Sequence, residues 1–515
     1  MQKSDLLNNH DVSEKSGVKA SFWDFLSLLS GNLILIPLGI VSVALITRIL
    51  GPEGFGYITI FNLVTTFVVM VTTNWTATSV LRFGREEYDQ QGKLNHTFWA
   101  RTIILVPCLL VGVVAVYLSR DFINDYMKMP SWAVWLVIGS ALILTARTYL
   151  DYILQAIHRM KAYAATQIIF AAVFIIGLTL IFVGVFAENY LTVIIIGLIT
   201  NAVTIFFLSL FLVPFKLLLP VETDRRMLRE VFSFSCPFVI GNLAAYVVNW
   251  IDVIVIKHYS SMPDLGGYQL AYQVFTFVIG LGMTITLLMA PILTSFMAHQ
   301  REELIKRYAS RLVPQGVLFW SVGIGIGLPF SEALFQLLFG KQFSVSAIYF
   351  QYLVLGAAFN SIVSFHSGIL TAYKLTKYIV LVSFSTAFLN LSGDFLFVPQ
   401  VGPVGAAFST TAAIGVHSLL YLLISQKQLE LKLIWQLILV SPVFLSFLTI
   451  RITSGQWAYF LAIGASLALG YYLAKTFHLF RSDDLILLDY VQMPASLKKI
   501  IIWIYPLLSD EAKKK

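Results

Sequence analysis

The sequence predicts an all-α polytopic membrane protein of about 14 transmembrane helices, and three observations lead there. Of its 515 residues 58% are apolar and only 12% are charged, about half the roughly 25% carried by a soluble domain. Apolar stretches long enough to cross a bilayer, about 20 residues each, follow one another with little chain between them. The basic residues gather in alternate connecting segments, as the positive-inside rule requires of correctly counted spans. A soluble enzyme or binding module is excluded by composition alone. The net charge of +8 does not indicate nucleic acid, because basic residues confined to short segments between apolar spans report topology.

Residues 1–21 are polar, with no apolar core ahead of a cleavage site, so span one is expected to act as the insertion signal. Fourteen spans then follow at 25–47, 57–81, 97–118, 132–156, 163–186, 190–215, 233–259, 271–298, 312–338, 344–372, 378–398, 403–425, 433–452 and 457–476. With the N-terminus inside, the inner segments collect Lys3, Lys15, Lys19, Arg82, Arg85, Lys93, Arg159, Lys161 and the run from Lys216 to Arg229, and later Arg301 to Arg311, Lys374, Lys377, Lys427 and Lys432. The outer segments hold only Arg48, Arg120, Lys128, Lys257, Lys341 and Arg451. Both termini are therefore expected to be cytoplasmic. In the tail, the apolar stretch Ile500 to Leu508 is too short to cross; it reads either as an interfacial helix anchored by lysines or as a disordered end. Cys108 and Cys236 both lie in apolar runs, so neither a disulfide framework nor a cysteine metal site is expected.

The chain also repeats itself. Gly31-Asn32-Leu33 of span one recurs as Gly241-Asn242-Leu243 of span seven, Gly56-Tyr57 recurs as Gly267-Tyr268, and ILQAIHRMKAY (153–163) is echoed by ILTAYKLTKY (369–378), in the same order and at nearly constant spacing. A diverged tandem copy of six spans explains this. An even span number gives both copies one orientation, and parallel repeats place a site at their interface. The organisation expected is a cytoplasmic segment (1–21), an N-terminal six-helix lobe (22–217), a cytoplasmic linker (218–232), a C-terminal six-helix lobe (233–425), helices 13 and 14 (426–476) and a cytoplasmic or interfacial tail (477–515).

Residues 48–63 read RILGPEGFGYITIFNL, residues 334–343 LFQLLFGKQF and residues 396–410 LFVPQVGPVGAAFST. In these three stretches and in its duplication, over about residues 22–425, the chain resembles the polysaccharide-transport branch of the multidrug/oligosaccharidyl-lipid/polysaccharide flippase superfamily, the flippases of O-antigen and other lipid-linked oligosaccharides. The resemblance implies two pseudo-symmetric six-helix lobes around a central cavity plus two appended helices. It also implies alternating-access transport of a polyprenyl-diphosphate oligosaccharide across the cytoplasmic membrane for surface polysaccharide synthesis, with a polysaccharide polymerase as a pathway partner. A single duplicated chain suffices to form a cavity, so a monomer among membrane lipids is the expected state.

Such a substrate needs fixed cations, and arginine pairs with phosphate bidentately while staying charged. Arg147 is the first candidate: it lies about nine residues, or roughly 14 Å, from the inner end of span four, and against lipid it would cost at least about 2.5–3.5 kcal/mol. It should face a cavity or a partner; Asp151, four residues on and on the same helical face, is the partner at hand, and both readings hold together if Asp151 orients Arg147 until phosphate arrives. Arg101 near the start of span three, Arg82 and Arg85 at the inner end of span two, and Arg48 at the outer end of span one are further substrate-binding candidates, each with snorkelling to headgroups as the plainer reading. Asp252 resembles an acid of the family's seventh span and is a candidate coupling residue, or else a surface partner of Lys257, and Asn249 beside it is a further substrate-binding candidate. Glu332 and Asp394 are further intramembrane acids, and His366 and His417 intramembrane histidines. Pro37, Pro237 and the glycines before Pro329 are candidate hinges.

Two alternatives to the oligosaccharide flippase carry forward. A peptidoglycan-precursor flippase would also have fourteen spans and internal arginines. A cation-coupled multidrug exporter would need deep carboxylates, and span one has none between Phe25 and Thr47. No connecting segment is large enough for a catalytic domain and no metal-ligand spacing appears, so no catalytic residue, metal or cofactor is assigned.

Overall fold

In a bilayer every backbone polar group must be satisfied internally, which a helix does within its own segment. The computed structural model describes residues 2–453, 455 and 457–481, with side chains from residue 34 onward except 284 and 288, and every regular element among them is helical. The tail stretch Ile500 to Leu508 lies outside the described residues. In chain order the longer helices are α1 (Gln2–Thr72), α2 (Asn95–Leu118), the short α3 (Arg120–Met127), α4 (Ala133–Ala156), α5 (Met160–Phe182), α6 (Tyr190–Phe207), α7 (Arg225–Tyr259), α8 (Met262–Ala298), α9 (Val313–Gly327), α10 (Ser331–Phe339), α11 (Ser344–Ala372), α12 (Thr376–Val401), α13 (Pro403–Leu429), α14 (Ser441–Ile452) and α15 (Trp457–Thr476).

Among the described residues 13 helical stretches are long and apolar enough to cross. One of them, the 39-residue Ile34–Thr72, would run about 58 Å if straight, nearly twice the ~30 Å hydrocarbon core. It is broken at Gly51, whose φ of 65° and ψ of −176° leave helical space. Counted as two crossings, it brings the total to fourteen. The helix runs unbroken through Pro37, so the interruption of this first apolar stretch comes at the turn. Glycine tolerates the positive φ that ends one helix, and the following proline is pre-set to begin the next. Gly402-Pro403 repeats that device between α12 and α13, with Gly402 at φ 63°. Elsewhere polar caps set the starts: Ser261 and Asp264 form a reciprocal capping box on α8, and Asn189 accepts from Thr192 N at 2.8 Å on α6.

The chain divides into two compact units, Met1–Val253 and Ile254–Lys515, with the boundary inside α7. In the first unit the connections after spans two, four and six meet at one end. Arg85 donates to the Gln155 carbonyl (3.2 Å), Asp89 lies 3.1 Å from His158, and Asn95 and Trp99 donate to the Pro220 and Leu218 carbonyls (3.3 and 2.9 Å). The connections after spans one and five meet at the other end, where the rings of Tyr57 and Tyr190 stack 4.8 Å apart. One span too many or too few would have separated these pairs by the membrane's thickness.

The second unit follows the same rule. Tyr373, after span ten, donates to Glu302, after span eight, at 2.7 Å; burial and that carboxylate raise the Tyr373 phenol above its ordinary pKa. Helices α14 and α15 are built into this unit. Val313 and Val317 of α9, Ile362 and Ile369 of α11, Val443 of α14 and Leu473 of α15 belong to one buried cluster. Small residues let the backbones approach, since a Cβ on Gly325 would lie 2.2 Å from Ser466 Oγ and one on Gly470 2.5 Å from Val322 Cγ2. Polar links finish the join: Ser321 donates to the Val440 carbonyl (3.0 Å), Ser446 to that of Gly325 (2.7 Å), and Gln436 to that of Ala309 (2.9 Å).

Candidate functional site

The first unit holds two buried intramembrane arginines, Arg101 and Arg147, and both contact α4. Arg147 lies on α4 itself. Its Nη1 donates to Asn201 of α6 and its Nη2 to Gln167 of α5, each at 2.8 Å, while Nε stands 3.8 Å from Asp151 one turn along. The ring of Phe170 covers the guanidinium at 3.9 Å. Asp151 in turn accepts from Thr166 at 3.2 Å and from Gln167 at 3.1 Å. The pairing with Asp151 that the sequence offered for Arg147 is present. The arginine's fork is occupied and its charge balanced, so it ties α4, α5 and α6 into one block. Gln167 and Asn201 were not singled out in the sequence; each is an amide within an otherwise apolar span, with nothing local to pair it with Arg147.

Arg101, on α2, has a different environment. Its Nε donates to Thr76 Oγ1 at 3.1 Å and its guanidinium lies 4.1 Å over the ring of Tyr149 of α4. Tyr149 is fixed in turn, donating to the Phe98 carbonyl at 2.8 Å and standing 2.7 Å from Thr102 Oγ1. Residues 147 and 149 are about 200° apart around a helix at 3.6 residues per turn, so the two arginines sit on opposite sides of α4.

The remaining candidates are dispersed. Arg82 is exposed, with its guanidinium 4.6 Å from the Phe234 ring, Arg85 is half-buried at the end where the connections meet, and Arg48 is exposed at the end of the first limb of α1. Asn249 is exposed and donates to the Ala245 carbonyl of its own helix at 2.8 Å, whereas Asp252 is buried. In the second unit Glu332 is exposed and accepts from Gln336 (3.2 Å), buried Asp394 accepts from Ser409, and buried His366 meets Gln436 at 3.0 Å. A cavity of about 400 Å³ lies beside the loop end of the first unit, lined by Glu86, Glu87, Asp224, Glu230, His96 and Arg226 among others. Its carboxylates disfavour an anionic guest. Glu87 has a defined task there, accepting from His96 N at 2.9 Å and Thr97 N at 2.8 Å and so capping the N-terminus of α2.

The profile of the family described as "Polysaccharide biosynthesis protein" matches residues 23–297, more than half of the chain. The chain belongs to that family. A MatE profile also matches, over residues 237–396, and the two together place the chain in the MOP flippase superfamily. No curated protein matches it in sequence. Among solved structures, the lipid II flippase MurJ in an inward closed conformation aligns at a TM-score of 0.65 and 16% identity, over 88% of this chain and 98% of that one. An inward-facing multidrug resistance MATE family transporter of the MOP superfamily aligns at 0.59 and 12% identity, over 76% and 94%. A MOP superfamily transporter from Pyrococcus furiosus, described by the reverse polarity of its binding pocket, aligns at 0.52 and 11% identity, over 79% and 94%. At such identities the alignments establish the fold, and the fold is that of multi-pass membrane transporters.

Proposed function

We propose that this member of the polysaccharide biosynthesis family flips a polyprenyl-diphosphate oligosaccharide across the cytoplasmic membrane for surface polysaccharide assembly. The observation that carries the reading is the family match over residues 23–297, which covers the half of the chain that contains both intramembrane arginines. The orientation that goes with it puts the ends of α1 and α2 nearest Arg82 and Arg101 on the cytoplasmic side, where a substrate made in the cytoplasm loads. In this reading Arg101, Arg82, Arg85 and, on the outer side, Arg48 supply positive charge to the phosphates, and Asn249 meets a sugar hydroxyl. Arg147 with Asp151 holds the helices that carry the path, Asp252 is the coupling acid, and Pro37 is a hinge of the first helix. A polymerase receives the flipped product, and a monomer performs the cycle.

The test is a clean deletion of the gene. Lipid-linked glycan should accumulate on the inner leaflet, surface polymer should be lost, and sensitivity to cationic dyes should stay unchanged. Intact surface glycan with dye accumulation that the restored gene reverses would reassign the protein as an exporter. The likeness to the lipid II flippase makes arrested peptidoglycan synthesis the third outcome to score, and that outcome would replace the oligosaccharide with the cell-wall precursor.

A further inference from the structure

The two buried arginines of the first unit differ in one respect that bears on where a phosphate could bind. Arg147 has a carboxylate in reach and side-chain acceptors for both of its terminal nitrogens. Arg101 is 1% exposed, and among the described residues no carboxylate approaches it and its buried Nη1 has no hydrogen-bond partner. Its neighbours, Thr76 and the rings of Tyr149 and Tyr152, are all neutral. An uncompensated ion in a low-dielectric interior is strongly disfavoured, and a ring face offsets part of that penalty. Charged groups inside membrane segments pair with one another or with backbone carbonyls, and they mark substrate and ion pathways.

One wall around Arg101 is an irregular stretch of chain, packed through Val80 against Leu150, Ile153 and Leu154 of α4. Thr76 belongs to residues 72–84, where the helical ladder is already irregular: a 3₁₀ turn at Asn74–Thr76 is followed by a π turn at Val80–Gly84. A 3₁₀ stretch within a helix often marks a hinge or a strained sequence, and π turns are frequent at functional sites. The hydroxyl of Thr76 donates to the Thr73 carbonyl at 2.9 Å while accepting from Arg101, and Thr78 Oγ1 nearby in sequence is buried without a partner among the described residues. The Tyr149 side is rigid, as its hydroxyl is held by Phe98 and Thr102. Arg101 is six residues, about 9 Å, from the start of α2, close to the end where the connections of this unit meet.

We propose that Arg101, rather than Arg147, is the phosphate receptor of this transporter. The irregular segment 72–84 withdraws, the guanidinium stays on the Tyr149 ring, and its free edge takes two phosphate oxygens in the fork geometry that arginine offers. The substrate assignment rests on the lipid-linked oligosaccharide reading above; the anion site itself does not. The phosphate could also come from a bilayer phospholipid, and the two sources are separable.

The experiment uses the full-length protein in a neutral maltoside detergent. Binding of a labelled polyprenyl diphosphate is measured for wild type, Arg101→Met, Arg101→Lys and the double variant Arg147→Met with Asp151→Leu, with polyprenol, inorganic pyrophosphate and phosphatidylglycerol as comparison ligands, alongside melting temperatures. Arg101→Met is expected to lose polyprenyl diphosphate binding at least tenfold while melting at or above wild type, because an unpaired buried charge has been removed. A merely structural arginine would lower the melting point instead. Arg101→Lys is expected to bind at an intermediate level, the double variant within threefold of wild type, and polyprenol not at all. Equal polyprenyl diphosphate binding by wild type and Arg101→Met overturns the inference and leaves the flippase reading intact. Arg101-dependent pyrophosphate binding without polyprenyl diphosphate binding supports the anion site and overturns the flippase reading. Arg101-dependent binding of phosphatidylglycerol alone overturns the substrate assignment, and absence of all anion binding overturns the site.

Discussion

At the scale of single residues, Arg147 and Asp151 show how a charge survives in a membrane protein's interior. Each is buried, each is the other's counter-charge, and Gln167 touches both. Breaking such a pair from one side leaves a bare ion, at about 3–5 kcal/mol. Arg147→Ala is therefore expected to lower stability by that amount in thermal unfolding of the purified protein. Arg147→Met with Asp151→Leu should recover at least half of the loss, since no charge remains unpaired. A double variant as unstable as the single one would show that the amide contacts, not the charges, hold the three helices. The pair was legible in the sequence, because spacing of four on a helix puts both side chains on one face. The acceptors Asn201 and Gln167 were not legible, because their partner is brought to them by helix packing that no local pattern encodes.

At the scale of elements, the ends of helices carry more specific chemistry than their apolar middles. Glu87 caps α2 with two hydrogen bonds from one carboxylate, and hydrogen bonds to a charged group contribute about 1.5–3 kcal/mol each. Glu87→Ala is expected to destabilise the protein by about 2 kcal/mol or more, with faster amide exchange over 95–101, while Glu87→Gln loses less; exchange unchanged in the alanine variant would rule the cap out. The glycine turns are as demanding. At Gly405, just after the Gly402-Pro403 turn, a Cβ would lie 2.6 Å from the Phe397 carbonyl carbon, and backbone cannot step aside as a side chain can. Gly51 needs a positive φ that costs other residues about 1–3 kcal/mol. Both Gly51→Ala and Gly405→Ala should reduce the yield of monodisperse protein, and normal yields of both would contradict the turn geometry. The Gly-Pro strings that mark these turns are readable without a structure, for glycine and proline fix backbone angles locally. Glu87 is not so readable, because an acid in a basic, polar connection looks like any surface residue.

At the scale of the whole chain, span number and the alternation of connections were legible because apolar length and charge placement are sums over many residues, and no single misreading shifts them. The role of the last two spans was not, because they read as additions to a duplicated chain and the residues that bind them lie far away in sequence. In lipid their removal would not be penalised through apolar exposure, since hydrocarbon chains replace apolar side chains at little cost. The penalty would come from polar groups. Ending the chain after Glu430 removes Gln436, which His366 Nε2 meets at 3.0 Å and which donates to the Ala309 carbonyl, and it strips Ser321 and the Gly325 carbonyl of their partners Val440 and Ser446. At about 1–3 kcal/mol for each buried group left unsatisfied, several together equal the whole stability of an ordinary domain. The truncated chain is expected to insert but to aggregate on extraction, and His366→Leu in the truncated chain should raise the monodisperse yield by removing one orphaned group. Full-length protein carrying His366→Leu should instead lose stability, since Gln436 Oε1 would lose its His366 partner. If the truncated chain behaves like the intact one in size-exclusion chromatography and melting, helices α14 and α15 are accessories, and the polar links to α9 and α11 contribute nothing that lipid cannot replace.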